Sequence, residues 1–191
     1  HTGMNWAQKS PDPRPPARFG HGMVSLSSGV YMLFGGQDNS GKFFNDTWIY
    51  QSSSNIWYQK DTEVMPSSRT YFSIDYCGAD NRVYIFGGVK GTVLFNDAWR
   101  YDVSAGSWSQ VQVDVSSPSP RFGSGMAYEP AGGYFVVFGG ARDFSNSYGD
   151  LWLFYPAAGI WQKKNPQDGN FPSVRSDFVF EYMEGPGRIL L

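Results

Sequence analysis

One phrase recurs three times in this chain, and its period limits the fold more than any other feature. "YMLFGG" at 31–36 is followed by "NDTWIY" at 45–50, "VYIFGG" at 83–88 by "NDAWRY" at 96–101, and "FVVFGG" at 135–140 by "GDLWLF" at 149–154. The first glycines of the pairs, Gly35, Gly87 and Gly139, are 52 residues apart in both steps. The second glycines are Gly36, Gly88 and Gly140. An arginine precedes each phrase, at Arg18, Arg69 and Arg121, and a fourth stands at Arg175; the spacings are 51, 52 and 54. A tryptophan closes each unit, at Trp57, Trp108 and Trp161. Trp6 precedes Arg18 by 12 residues, as Trp57 precedes Arg69, so it reads as the tail of an earlier unit. Units of this kind bury their apolar faces by stacking on one another.

Within the second unit, residues 71–77, 82–87, 97–102 and 106–111 read as four strands, a to d. Each is rich in β-branched or aromatic residues and bounded by Gly, Asn, Asp, Ser or Pro. No stretch sustains a helical period. Aromatics make up 18% of the 191 residues and glycines number 23, which supplies burial and turns for a folded β-rich domain. Four strands at a period near 50 suit the radial blades of a propeller. The Gly-Gly pair, the spaced tryptophan and the nearby tyrosine together resemble the kelch-repeat family, and the resemblance covers almost the whole chain.

That resemblance implies an all-β fold, a kelch-type β-propeller with about three complete four-stranded blades and partial blades at both ends. Residues 1–12 would give strand d of a preceding blade, 13–63 blade 1, 64–114 blade 2, 115–167 blade 3, and 168–191 strands a and b of blade 4. The 191 residues are therefore expected to form a single incomplete propeller. Its remaining blades would come from the same longer chain or from a neighbouring chain.

Each repeated residue type has a physical reason. Glycine accepts positive φ, so Gly-Gly ends strand b and lets the backbone turn. Asp46, Asp97 and Asp150 are expected to bond local backbone amides where strand c begins. Trp48 with Tyr50, Trp99 with Tyr101, and Trp152 with Phe154 share a strand face and are expected to pack between blades. The arginines stand where strand d hands over to strand a, and a planar five-donor fork suits several loop carbonyls there.

Positions that repeat in every blade read as scaffold, while loop positions that differ are where specificity can reside. Phe44, Phe95 and Tyr148, just before the repeated aspartates, therefore read as structural. In an up-and-down blade the b–c and d–a loops emerge on one side. The b–c loops carry Gln37, Asp38, Lys42 and Phe43 in blade 1, Lys90 and Val93 in blade 2, and Arg142, Asp143 and Phe144 in blade 3. Mixed charge with exposed aromatics suits a protein-binding surface. The candidate partner-binding residues are Lys42, Phe43, Lys90, Arg142, Asp143 and Phe144; the plainer reading is an ordinary solvated loop. Kelch proteins sometimes grip acidic peptides through arginines on this side.

Chemistry is less in evidence. Two histidines, His1 and His21, and the single Cys77 make no convincing zinc or copper site. No nucleophile signature is present, so no catalytic residue, metal or cofactor is expected. Asp75 and Glu181 both stand six residues after an arginine, on the innermost strand. They read as a channel-lining cation or acid–base pair, or as solvated channel residues. Asn45-Asp46-Thr47 matches a glycosylation sequon, which its repeat without threonine at 96–98 makes incidental. Net charge is −2 with no basic run, against a nucleic-acid surface. No apolar run is long enough for a membrane helix. One cysteine favours the cytoplasm and leaves secretion open. The expectation is a protein-interaction module or scaffold, with a metal-dependent, galactose oxidase-like enzyme or an architectural component as the rival readings.

Overall fold

The computed structural model describes residues 8–112, 116–165, 172–183 and 188–190. Trp6 and the strand expected around it lie outside these residues, as does much of the expected end of blade 4. The described chain is all β. The first sheet holds β1 (Gly22–Ser27), β2 (Val30–Phe34), β3 (Thr47–Gln51) and β4 (Ile56–Lys60), hydrogen-bonded in that order. The second holds β5 (Ser73–Cys77), β6 (Arg82–Phe86), β9 (Ala98–Asp102) and β10 (Ser107–Gln110), again neighbours in chain order. A two-residue hairpin, β7 (Val89–Lys90) with β8 (Val93–Leu94), occupies its b–c loop.

The third sheet repeats the plan with β11 (Gly125–Glu129), β12 (Tyr134–Phe138), β15 (Leu151–Tyr155) and β16 (Ile160–Lys164). Its loop hairpin is β13 (Ala141–Asp143) with β14 (Asn146–Ser147). A fourth, two-stranded sheet pairs β17 (Glu181–Met183) with β18 (Arg188–Leu190). All pairings are antiparallel, and successive sheets meet through their first strands, β1 with β5, β5 with β11 and β11 with β17. These are four-stranded propeller blades fanned from the a strands.

The second strand of each blade is apolar without alternation, because sheets pack on both of its faces. Met32, Phe34, Val83, Phe86, Phe135 and Phe138 are all essentially inaccessible to solvent. Two clusters fill the inter-blade spaces. One joins Met32, Phe34 and Ile49 of the first blade to Val83, Ile85, Tyr101 and Trp108 of the second. The other joins Tyr84, Phe86 and Ala98 of the second to Phe135, Phe154 and Trp161 of the third. Ring contacts between blades come from strand b, where Tyr84 lies 5.0 Å from Phe135, and from the strand-d tryptophans. Trp108 lies 4.9 Å from Phe34, and Trp161 lies 4.7 Å from Phe86. Trp57, with no described sheet before it, packs on Tyr50 of its own blade at 4.9 Å and stays half-buried.

The strand-c indoles of Trp99 and Trp152 are only half-buried at the edges of these clusters. Strand c still contributes Tyr101 and Phe154 to the inter-blade clusters, and strand d adds Trp108 and Trp161.

The two tryptophan sockets differ in one polar contact. Trp108 donates its indole N–H to Thr47 Oγ1 at 2.9 Å. The residue in register with Thr47 in the next blade is Ala98, since Thr47 pairs with Phe34 and Ala98 with Phe86. Trp161 Nε1 is buried and finds no partner among the described residues, which costs stability. Ala98→Thr is expected to supply that partner and stabilise the fold by about 0.5–1.5 kcal/mol, read as a raised melting temperature. Trp108→Ala is expected to cost about 3–5 kcal/mol, and Trp57→Ala clearly less. Equal losses from the two truncations would show that packing on a preceding blade adds nothing to the tryptophan's contribution.

Candidate functional site

The b–c and d–a loops form one face, and a repeated clamp builds it. Arg18, Arg69 and Arg121 each donate Nε to the carbonyl two residues before, on Pro16, Ser67 and Ser119, at 3.0–3.1 Å. Nη1 of each donates to the first glycine carbonyl of its own blade, Gly35, Gly87 and Gly139, at 2.9 Å. Nη1 and Nη2 also make a two-point contact with Asp46, Asp97 and Asp150. The rings of Phe44, Phe95 and Tyr148 cover the guanidinium planes at 4.0–4.1 Å.

The aspartates thus do not chiefly bond the amides of the strand entrance, as their position suggested. Both carboxylate oxygens are taken by side chains, and the second also accepts the indole N–H of Trp48, Trp99 or Trp152. The cause is electrostatic: Arg69 and Arg121 are fully buried, and a buried cation requires a counter-charge. Burial pushes these carboxyl groups up, but hydrogen bonds and charge from the arginine outweigh it, and all three lie below the ordinary carboxylate range.

The same arginines join neighbouring blades through their backbone. Gly36 N–H donates to the Arg69 carbonyl and Arg69 N–H to Phe44 O of the preceding blade. Arg121 repeats this with Gly88 and Phe95, and Gly140 N–H donates to the carbonyl of Arg175. That explains the first glycine of the pair; the second is crowded by its own blade, where a Cβ on Gly88 or Gly140 would stand 2.9 Å from the carbonyl of Thr70 or Phe122. A Cβ on Gly35, Gly87 or Gly139 would stand 2.6–2.9 Å from the next blade's arginine carbonyl, and φ is 66–68°. The fourth arginine differs: Arg175 donates Nε to Ser173 O and Nη2 to Ser173 Oγ.

Between these fixed points the loops present the side chains that differ. Lys42, Lys90, Arg142 and Asp143 are exposed, Phe144 is fully so, and Phe43 is half-buried. The loop carboxylates are turned inward to local turns. Asp38 accepts from Ser40 N and Oγ and from Lys42 N. Asp143 accepts from Ser145 N and Asn146 Nδ2 and lies 3.5 Å from Arg142. The rim carries charge of both signs, Lys42, Lys90 and Arg142 beside Asp38 and Asp143, with Phe144 as its apolar contact. His21, in the d–a segment of this face, has a pKa held down by partial burial and then by Arg18.

On the inner strands, Asp75 is not a free channel carboxylate. Its Oδ1 accepts Tyr76 N–H and its Oδ2 accepts Tyr128 N–H of the next blade, both at 2.7 Å. Burial raises its pKa against these two bonds, with a further push from Glu181. It acts as a cross-link between β5 and β11, and Glu181 is exposed beside it in a cleft of about 640 Å³. Among the described residues no three metal-ligating side chains converge.

A collar of backbone completes the face. The residue two after each arginine has left-handed φ: Gly20 at 61°, Tyr71 at 53°, Gly123 at 64° and Asp177 at 56°. Their amides and carbonyls run head to tail, from Tyr71 N to Gly20 O, Gly123 N to Tyr71 O, and Asp177 N to Gly123 O, at 2.7–2.9 Å. Tyr71 and Asp177 escaped the sequence reading. The visible signal was that "RFG" at 18–20 and 121–123 becomes "RTY" at 69–71 and "RSD" at 175–177.

The family described as the KLHDC2/KLHL20/DRC7 Kelch-repeats domain matches residues 2–185. The chain belongs to the kelch-repeat family. Among curated kelch relatives, the flagellar outer-arm dynein alpha chain of Chlamydomonas reinhardtii is 27% identical over 175 residues, 85% of this chain and 4% of that protein. Kelch domain-containing protein 10 of Rattus norvegicus is 25% identical over 81% of this chain and 40% of that protein. Mei4-dependent protein 6 of Schizosaccharomyces pombe is 28% identical over 65% of this chain and 19% of that protein. The chain thus spans well under half the length of these relatives.

The kelch clamp makes a stability prediction. Asp150→Ala leaves Arg121 buried without its counter-charge and is expected to cost about 3–5 kcal/mol; Arg121→Lys, which lacks the two-point fork, should also destabilise. The lowered carboxyl groups set the pH sign. Their stabilisation is complete above the unfolded value of about 4 and is lost as pH falls through the lower folded values. Asp75, with a raised value, works in the opposite sense. Melting temperature is expected to fall on acidification below about pH 4; a flat profile there would count against the clamp as the dominant set of titrating groups.

Proposed function

We propose that this chain is a protein-interaction module whose b–c and d–a loop face holds the partner, with Lys42, Phe43, Lys90, Arg142, Asp143 and Phe144 as the contact set. Kelch repeats generally serve as protein-interaction modules. The observation that carries the reading for this chain is the division of labour in the loops. Their backbones are pinned by the arginine clamp and by hairpins, while Phe144, Lys42, Lys90 and Arg142 are exposed to solvent. An exposed aromatic on a pre-organised loop loses little freedom on binding. The blade limits 13–63, 64–114 and 115–167 belong to the same proposal, since they assign each loop to its blade.

The reading is tested by replacing Lys42, Phe43, Lys90, Arg142 and Phe144 together with Ser. Partner capture from extract, with each captured protein then tested by direct binding, is expected to be lost while the melting temperature changes little. Retention of every partner at unaltered affinity would move the contact to another surface.

A further inference from the structure

The collar at the centre of the loop face places two side chains where the neighbouring blades have none. Glycine is the residue suited to left-handed φ, and Gly20 and Gly123 use it. Tyr71 and Asp177 hold the same conformation with full side chains. For a tyrosine this is a strained choice, and such outliers point to function when the side chain has somewhere to act. Each leans over the glycine of the preceding blade. A Cβ on Gly20 would meet Tyr71 Cε2 at 3.4 Å, and one on Gly123 would meet Asp177 Oδ1 at 2.6 Å. The alternation of small and large residues is therefore reciprocal, with the glycines leaving the room that the other two side chains occupy.

The two meet at one cleft of about 200 Å³, lined by Gly20, His21, Tyr71, Gly123, Ser124 and Asp177 with two phenylalanines, Phe72 and Phe178. Its lining comes from the entries to all four first strands, so it opens toward the inner end of the blades. Asp177 is the one carboxylate in it and is exposed; among the described residues it meets no cation. Arg175, two residues upstream, turns its guanidinium back to Ser173. Partial burial and then Arg18 lower the pKa of His21, which disfavours its cationic form. Tyr71 is part-exposed, and its ring stands 6.3 Å from Phe122, which in turn lies 5.9 Å from Phe144. The cleft thus offers one unpaired negative charge beside an aromatic ring, inside a rim of Lys42, Lys90 and Arg142.

We infer that this cleft receives a single lysine or arginine side chain from a protein partner, with the Asp177 carboxylate pairing the cation and the Tyr71 ring packing along it. Carboxylate and aromatic ring together recognise a cationic side chain by charge and by cation–π attraction. The b–c loop cations Lys42, Lys90 and Arg142 disfavour a generally basic segment by like-charge repulsion, so the occupant is one cation among neutral or acidic residues. The inference rests on the loop-face reading above and adds to it the chemistry of the central contact.

The test is selection of a displayed library of random linear peptides on the full chain, followed by direct binding of the selected peptides. The expected result is one invariant Lys or Arg in acidic or neutral flanks. Its replacement by Gln, or Asp177→Asn in the protein, should weaken binding about tenfold or more. Tyr71→Gly should weaken it comparably while the melting temperature holds or rises, because glycine relieves the left-handed strain; a merely structural Tyr71 would not separate the two. Selected peptides that lack a basic residue, or that bind the Asp177→Asn and Tyr71→Gly proteins unchanged yet are lost with the five-residue loop replacement, overturn this inference and leave the loop-face reading standing. Selection of no peptide that the loop replacement affects overturns both.

Discussion

A fully buried guanidinium governs this architecture. Arg69 and Arg121 have no access to water, and an ion so placed is tolerated only when its charge and its donors are met. The chain meets them with one carboxylate, two carbonyls and an aromatic cover, drawn from separate segments of the same blade. The main chain of the same residue bonds the preceding blade. One residue type therefore closes a blade on itself and couples it to its neighbour. The first glycine of each pair exists because that neighbour's carbonyl comes too near for any Cβ.

This arrangement separates the parts of a loop that fix it from the parts that display. The aspartate, the aromatic cover and both glycines are consumed by the clamp, so substitutions there act on stability. What remains between them, in the hairpins β7–β8 and β13–β14 and in the turn around Asp38, is free to differ at little cost to the fold. The acidic groups of those turns are satisfied by nearby amides and stand beside the cations Lys42 and Arg142. A surface of this kind owes its specificity to side chains on a rigid frame, a condition that favours recognition because little order has to be gained on binding.

The inner side of the blades follows another rule. There the a strands approach one another closely, and polar groups are shared between sheets rather than within them. Asp75 accepts an amide from the next blade, and Ser73 Oγ lies 2.7 Å from both the carbonyl and the hydroxyl of Ser124. These contacts differ from blade to blade, unlike the clamp. The unmatched indole of Trp161 opposite Ala98 shows the same irregularity in the core. Repetition is strict where a buried charge is at stake and loose where single neutral hydrogen bonds are.

The sequence by itself determined the period, the all-β class, the four-strand unit and the positions where the chain must turn. Each of these rests on local propensity or on recurrence, and recurrence in one chain is visible without neighbours. The loop residues that differ between repeats were legible for the same reason. Tertiary structure decided what no local pattern carries. Asp97 meets Arg69 across 28 residues, and both partners had been read as bonding only backbone. The tryptophans of strand d, legible only as the closing residue of each unit, reach the rings of the preceding blade, because the lean of one sheet on another is a property of the pair. Tyr71 and Asp177 gained their meaning only when four distant entries came together around one axis, for a residue's φ is set by the contacts that hold it and not by its identity.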